Sequence, residues 1–207
     1  MCLMQLTPIM ADKSTPKKAA IYEAAALLFR ERGYRAASMR ELAERVQLKV
    51  SSLYSHIGSK EELLQKICFD NAQHFIEGLD VIEQKGGTAL EQLQGVIGLH
   101  VDSAVSNPTS VTVFNNEWRH LTDGKGQRNL SAFLALRKTY ESRLQNIIQT
   151  GINKGELKAT DARVALYTLL TAVRWLHYWY KPSRKVSPKA LKEQLATLLL
   201  HGLANTD

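Results

Sequence analysis

The feature that most restricts this chain is the spacing of its apolar residues. They recur in steps of three and four, with no sustained alternation of period two. Ile21, Ala24, Ala25, Leu28 and Phe29 form one stripe, and Leu63, Leu64, Ile67, Cys68, Phe75 and Leu79 a second. Leu130, Phe133, Leu134, Leu136, Leu144, Ile147 and Ile148 mark a third. Residues 163–180 and 188–203 read as two more helices, apolar around more than one face. Breaks fall at Gly33, Gly58, Gly86-Gly87, Asn107-Pro108, 123–126, 151–155 and 182–188. The expected fold is all-α with about nine helices. With 207 residues and 44% hydrophobic content, the chain can bury a core in one helical domain or in two small ones sharing an interface.

Local signals place two helix starts. Ser38 with Glu41, and Ser59 with Glu62, have the S-x-x-E spacing in which a hydroxyl accepts from an early N–H and the carboxylate reaches back. Helices are therefore expected to begin near Met39 and Lys60. Between them a short helix is expected from about Val50 to His56, after a turn over Val46–Lys49. That segment, VSSLYSH, has small hydroxyls and one aromatic where a core segment would carry Leu and Ile. A helix lying in the DNA major groove needs this arrangement: a short or polar outer face and an anchored inner one. Leu53, with Leu42, Val46 and Leu48 across the turn, supplies the anchor. Ser51, Ser52, Tyr54, Ser55 and His56 project outward, and the helix start at Lys60 is suited to a phosphate.

Charge points the same way. Residues 12–60 hold 10 Lys and Arg against 5 Asp and Glu, whereas the rest holds 17 against 15, within a net charge of +7. A basic excess gathered in the first quarter suits a polyanion such as nucleic acid. Cys2 and Cys68 make neither a disulfide framework nor a zinc spacing, in keeping with a reducing cytoplasm. No run reaches the roughly 18 apolar residues of a membrane span. Residues 1–15 read as a flexible tail without the features of a signal peptide, and Met10 competes with Met1 as the start.

The block IYEAAALLFRERGYRAASMRELAERVQLKVSSLYSHIGSKEELL, Ile21 to Leu64, resembles the DNA-binding domain of TetR-family transcriptional regulators. The resemblance implies that the first three helices bind operator DNA, the third being the recognition helix, and that the fourth leads into a ligand domain. It divides the chain into a tail (1–15), a helix-turn-helix domain (16–59) and a ligand-binding and dimerisation domain (60–207). Carried over by position, Ser38 and Arg40 meet phosphates at the start of the second helix. Lys49, Ser51, Ser52, Tyr54, Ser55 and His56 lie on or beside the DNA face, and Lys60 caps the backbone contact. The chain departs from the family pattern at Gln47, where Gly is usual, at Ile57-Gly58, where Phe-Pro is usual, and at Val50, where Lys or Arg is frequent. A left-handed backbone at Gln47 would cost roughly 1 kcal/mol.

Further on, NEWRHL (Asn116–Leu121), ALRKTYESRL (Ala135–Leu144) and RWLHYWYKP (Arg174–Pro182) together resemble the C-terminal domains of acyl-CoA-responsive TetR regulators, with Arg174 where a small or amide residue is common. The resemblance implies an apolar slot and basic groups for a thioester. The candidates are Phe75, Phe114, Trp118, Arg119, Tyr140, Arg143, Arg174, Trp175, Tyr178 and Trp179, with Arg137 and Lys138 as further basic groups. It also implies a homodimer through the last two helices, hence a palindromic operator, and release from DNA when effector binds.

Several of these residues fit a second reading. Tyr54 also reads, less readily, as a core aromatic with its hydroxyl at the surface. Arg40 and Arg45 also sit at the spacing to pair with Glu44 and Glu41. The aromatics near 175–180 also read as core and interface packing. A drug- or metabolite-sensing repressor of an efflux gene is the alternative function. An enzyme is disfavoured: six scattered histidines form no H-E-x-x-H, no glycine-rich phosphate loop is present, and neither cysteine has a catalytic context. No catalytic residue, metal or cofactor is assigned.

Overall fold

The computed structural model describes residues 16–122, 127–181 and 186–201. The expected tail with Cys2 and Met10, the break at 123–126, Pro182 and Leu203 lie outside them. Ten α-helical segments and one 3-10 turn are present among the described residues, and one of the ten, Leu176–Trp179, is a single turn. The chain is all-α as its periodicity predicts, and divides into two compact units: Met1–Ala72 with Asn107–Leu134, and Gln73–Ser106 with Ala135–Asp207.

The first unit holds α1 (Pro16–Arg32), α2 (Met39–Arg45), α3 (Val50–Tyr54), the start of α4 (Lys60–Lys85), α6 (Pro108–Asn116) and the 3-10 turn Trp118–Thr122. The start of α7 (Gln127–Asn153) completes it. Helices α2 and α4 begin where the caps predict. Ser38 Oγ accepts from the Glu41 N–H at 3.1 Å, and Ser59 Oγ from the Glu62 N–H at 3.0 Å. The reciprocal half of each box differs from expectation. Glu62 accepts from the Gly58 N–H at 2.7 Å, one residue early, and Glu41 turns to Arg45 at 3.2 Å and Arg32 at 3.5 Å. Two guanidinium groups within reach outcompete a single backbone N–H for that carboxylate. Ile21, Leu28, Phe29, Leu42, Leu53 and Leu64 are buried in the centre of this unit, and Val46 and Leu48 are half-buried at the turn.

The second unit contains the rest of α4 and α7, α5 (Ala89–Ser106), α8 (Ala162–Arg174), α9 (Leu176–Trp179) and α10 (Pro188–Leu200). Helix α5 is its centre: α8, α9 and α10 all pack on it, and its Leu93, Val96, Ile97 and Val101 are buried. The helix expected over 163–180 is broken at Trp175. His177 Nδ1 donates to the Arg174 carbonyl at 2.6 Å, and the Tyr178 N–H falls back to the Trp175 carbonyl at 3.0 Å. A side-chain donor has taken the acceptor that the next helical turn requires. In the third stripe Phe133, Leu144, Ile147 and Ile148 are buried, but Leu134 is 40% exposed.

Gln47, in the turn before α3, has φ +54°, so this backbone is left-handed despite its side chain. The strain of roughly 1–2 kcal/mol exceeds the roughly 0.5–1 kcal/mol of chain entropy that a glycine loses on folding. Gln47→Gly is expected to stabilise the protein by up to about 1 kcal/mol. Urea unfolding of the two proteins measures this, and a variant less stable than the parent would contradict the strain account.

Candidate nucleic-acid interface and effector residues

Helix α3 is held by one fully buried side chain, Leu53, and presents the others outward. Ser51 and Ser55 are exposed, Tyr54 is 48% exposed, and Ser52 and His56 are half-buried. The core reading of Tyr54 is therefore set aside. Ser55 Oγ donates to the Ser52 carbonyl at 2.7 Å. Lys49 is the exposed N-cap of α3 and gives it no side-chain hydrogen bond. Ser38 uses its hydroxyl as the α2 cap. The Arg40 side chain is 84% exposed, 3.2 Å from Glu44, a pairing weak enough in water to yield to a phosphate.

Lys60, the expected phosphate contact, meets protein groups in this structure. Its ammonium donates to the carbonyls of Tyr34 and Ala37 at 2.7 Å and of Arg35 at 3.3 Å, and lies 4.5 Å from the centre of the Tyr34 ring. In this structure it ties down the α1–α2 loop.

The effector candidates fall into both units. In the first, Phe133 gathers Phe114 at 5.8 Å, Trp118 at 6.0 Å and Phe69 at 6.1 Å, and the Arg119 guanidinium lies 5.5 Å from the Trp118 ring. Asn71, fully buried, donates from Nδ2 to the Ile67 carbonyl at 2.7 Å and to Ser110 Oγ at 2.6 Å, while its Oδ1 has no hydrogen-bond partner. In the second unit Phe75 stacks on His100 at 4.5 Å, and His100 Nε2 lies 3.0 Å from the Tyr140 hydroxyl. His74 Nε2 lies 3.0 Å from Ser103 Oγ beside them. Burial pushes the His100 pKa down to about 3, with the Arg174 and His74 charges adding to it, so the ring is neutral at pH 7. Burial pushes the Tyr140 phenol well above its ordinary range.

The basic candidates face carboxylates. Arg143 forks onto Glu83 at 2.6 and 3.2 Å and reaches Asp80 at 2.6 Å. Arg174 donates to Glu141 at 2.9 Å, with Arg137 3.8 Å from the same group. Lys138 is exposed. Trp175, Tyr178 and Trp179 do not join Phe75 and Tyr140: they are 56%, 74% and 47% exposed, with Trp175 edge-on to Tyr178 at 5.6 Å. The break at Trp175 turns them out. Sequence reasoning missed His100, Ser103 and Asn71 altogether and read Phe133 as core only. A lone polar residue within an apolar stripe is the only signal that marked the first three.

Comparison with known proteins agrees with this architecture. Residues 21–67 match the family model for bacterial regulatory proteins of the tetR family, and 86–203 match that for the tetracyclin repressor-like C-terminal domain. The HTH-type transcriptional repressor KstR2 of Rhodococcus jostii (strain RHA1) is 23% identical over 97% of this chain and 98% of its own. The ketosteroid transcriptional regulator KstR2 of Mycobacterium tuberculosis superposes with a TM-score of 0.87 at 21% identity, over 95% of this chain and 99% of its own. AibR, solved in complex with isovaleryl coenzyme A and operator DNA, gives 0.77 at 23% identity, over 88% and 97%. With an outward-facing polar α3 on a single buried anchor and both family models matched in order, the chain belongs to the TetR family of transcriptional regulators.

Proposed function

We propose that this regulator is a repressor that binds a palindromic operator as a homodimer and is released by a small-molecule effector, most simply an acyl-CoA thioester. The observation that carries the DNA part is the outer face of α3. Ser51, Ser52, Tyr54, Ser55 and His56 surround a helix held by Leu53 alone, so its backbone can enter a major groove. Lys49 and Arg40 flank it for phosphates, with Lys60 positioning the loop before α2. The division into a DNA-binding segment over 16–59 and a ligand and dimer segment over 60–207 belongs to the same proposal, as does action in the cytoplasm, where the DNA is.

Dimerisation is supported by an apolar stripe on the C-terminal helices. Val164 is 61% exposed, Tyr167 46%, Trp175 56% and Leu198 75%. Val164 and Tyr167, three apart, lie on one side of α8, and Trp175 is its C-cap; two copies of this face with α10 would pack as a four-helix contact with two-fold symmetry. The acyl-CoA part is supported by AibR, whose structure holds isovaleryl coenzyme A. The Phe75, His100 and Tyr140 cluster supplies apolar faces beside a neutral polar pair.

A second reading, a drug- or metabolite-sensing repressor of an efflux gene, is favoured by one observation. Arg143 and Arg174 are already matched by Asp80, Glu83 and Glu141, which leaves less positive charge for CoA phosphates. Thermal stability against acyl-CoA thioesters, free CoA, free acids and cationic drugs separates the two. A ligand present at a hundred times its Kd adds about 2.7 kcal/mol to native-state stability. A midpoint raised by one class of thioester alone is the expected result. A midpoint raised only by cationic drugs would replace the thioester reading with the second one.

A further inference from the structure

The motif NEWRHL, read from sequence as part of an effector site, has a second side. Glu117 closes α6, its N–H bonded to the Val113 carbonyl at 2.9 Å, and the 3-10 turn starts immediately after it. From this corner its Oε2 accepts the backbone N–H of Tyr34 at 3.1 Å, a contact across 83 residues of sequence. His120, one turn on, stacks on the Tyr34 ring at 5.5 Å and 19°, and its Nε2 lies 3.6 Å from the same Glu117 oxygen. The Lys60 ammonium also lies against this ring, and Phe29 of α1 meets it edge-on at 5.3 Å. Tyr34, only 5% exposed, is thus gripped on several sides.

Tyr34 lies in the loop that sets the entry to α2. Gly33, with φ +76°, turns the chain out of α1, the Ala37 N–H bonds back to the Gly33 carbonyl at 3.2 Å, and Ser38 caps α2. Moving Tyr34 moves the cap residue and the helix behind it. On the other side of the same 3-10 turn, Trp118 touches Phe133, which also meets Phe114.

We propose that Glu117 and His120 are positioning residues for operator binding: through Tyr34 they set the α1–α2 loop, and through Trp118 they make that setting sensitive to the Phe133 aromatic cluster. The inference rests on the operator reading and is independent of which effector is bound. A carboxylate is suited to the task because a charge-assisted bond to a part-buried N–H is stronger than a neutral one. Without it the part-buried N–H would lose its side-chain acceptor.

The test uses the full chain and a duplex enriched by it from a random pool. Glu117→Ala is expected to weaken binding to that duplex about 10-fold or more and to speed hydrogen exchange at the Tyr34 amide. Glu117→Gln, whose amide oxygen still accepts from that amide, is expected to restore most of both. His120→Ala should weaken binding with the Tyr34 amide still protected. Wild-type affinity in Glu117→Ala would overturn the inference. So would equal weakness of Glu117→Ala and Glu117→Gln with a lowered thermal midpoint, which would mark a purely structural group. A wild-type protein that enriches no duplex would sink the operator reading and this inference with it.

Discussion

Between pH 7 and pH 4 the protein is expected to lose about 3 kcal/mol of stability through His100 alone. The unfolded imidazole titrates near 6.5, whereas burial holds the folded one down to about 3. Over that interval the unfolded chain binds a proton that the native state refuses. Stability from this group is therefore fully present above pH 6.5 and falls as the pH drops toward 3. Protonation in place is costly for named reasons: Phe75 covers one face of the ring, the Tyr140 hydroxyl occupies Nε2, and the Arg174 and His74 charges repel. The check is urea unfolding from pH 7 to 4 in the parent and in His100→Phe, which keeps an aromatic against Phe75. The variant should be less stable at pH 7, because the Tyr140 hydroxyl loses its partner, and should depend less steeply on pH. Parallel curves for the two proteins would exclude His100 as the acid-sensitive group.

The second large effect separates anchoring from recognition within α3. Leu53 is completely buried, and its truncation to Ala should cost about 2–5 kcal/mol by the loss of methyl burial and the cavity left behind. Operator binding should fall with it, because a recognition helix that is not held cannot be presented. Its neighbour Tyr54 is 48% exposed and makes no comparable core contact. Tyr54→Ala should therefore leave stability within about 0.5 kcal/mol while weakening operator binding by about 1–3 kcal/mol, the scale of one good groove contact. Thermal melts and duplex titrations on both variants make the comparison. If Tyr54→Ala lost stability and Leu53→Ala did not, the inward and outward faces of α3 would have to be exchanged.

How much of this was legible in the sequence depends on the range of the interaction. The stripes at 21–29 and 63–79 became buried helix faces, because a period of 3.6 acts within a single turn and needs no partner to be read. The starts of α2 and α4 followed from Ser38 and Ser59, whose hydroxyls reach only three residues. The left-handed turn at Gln47 followed from the resemblance to a family that places glycine there.

What the sequence did not reveal was set by groups far apart along the chain. Lys60 clamps the α1–α2 loop because the Tyr34, Arg35 and Ala37 carbonyls come within its reach, 23 to 26 residues away. Arg143 meets Asp80 and Glu83 across about 60 residues, and Glu117 meets Tyr34 across 83. No local pattern encodes such pairs. They exist because packing brings side chains from distant parts of the chain within hydrogen-bond reach of one another. Even the break at Trp175, a local event, turned on a competition for one carbonyl that periodicity cannot see. By itself the sequence determined the all-α class, the helix starts and the α3 segment that faces outward. Only the tertiary structure decided which charges are matched, which aromatics are covered and what holds the α1–α2 loop, because those depend on contacts between helices rather than on spacing within one.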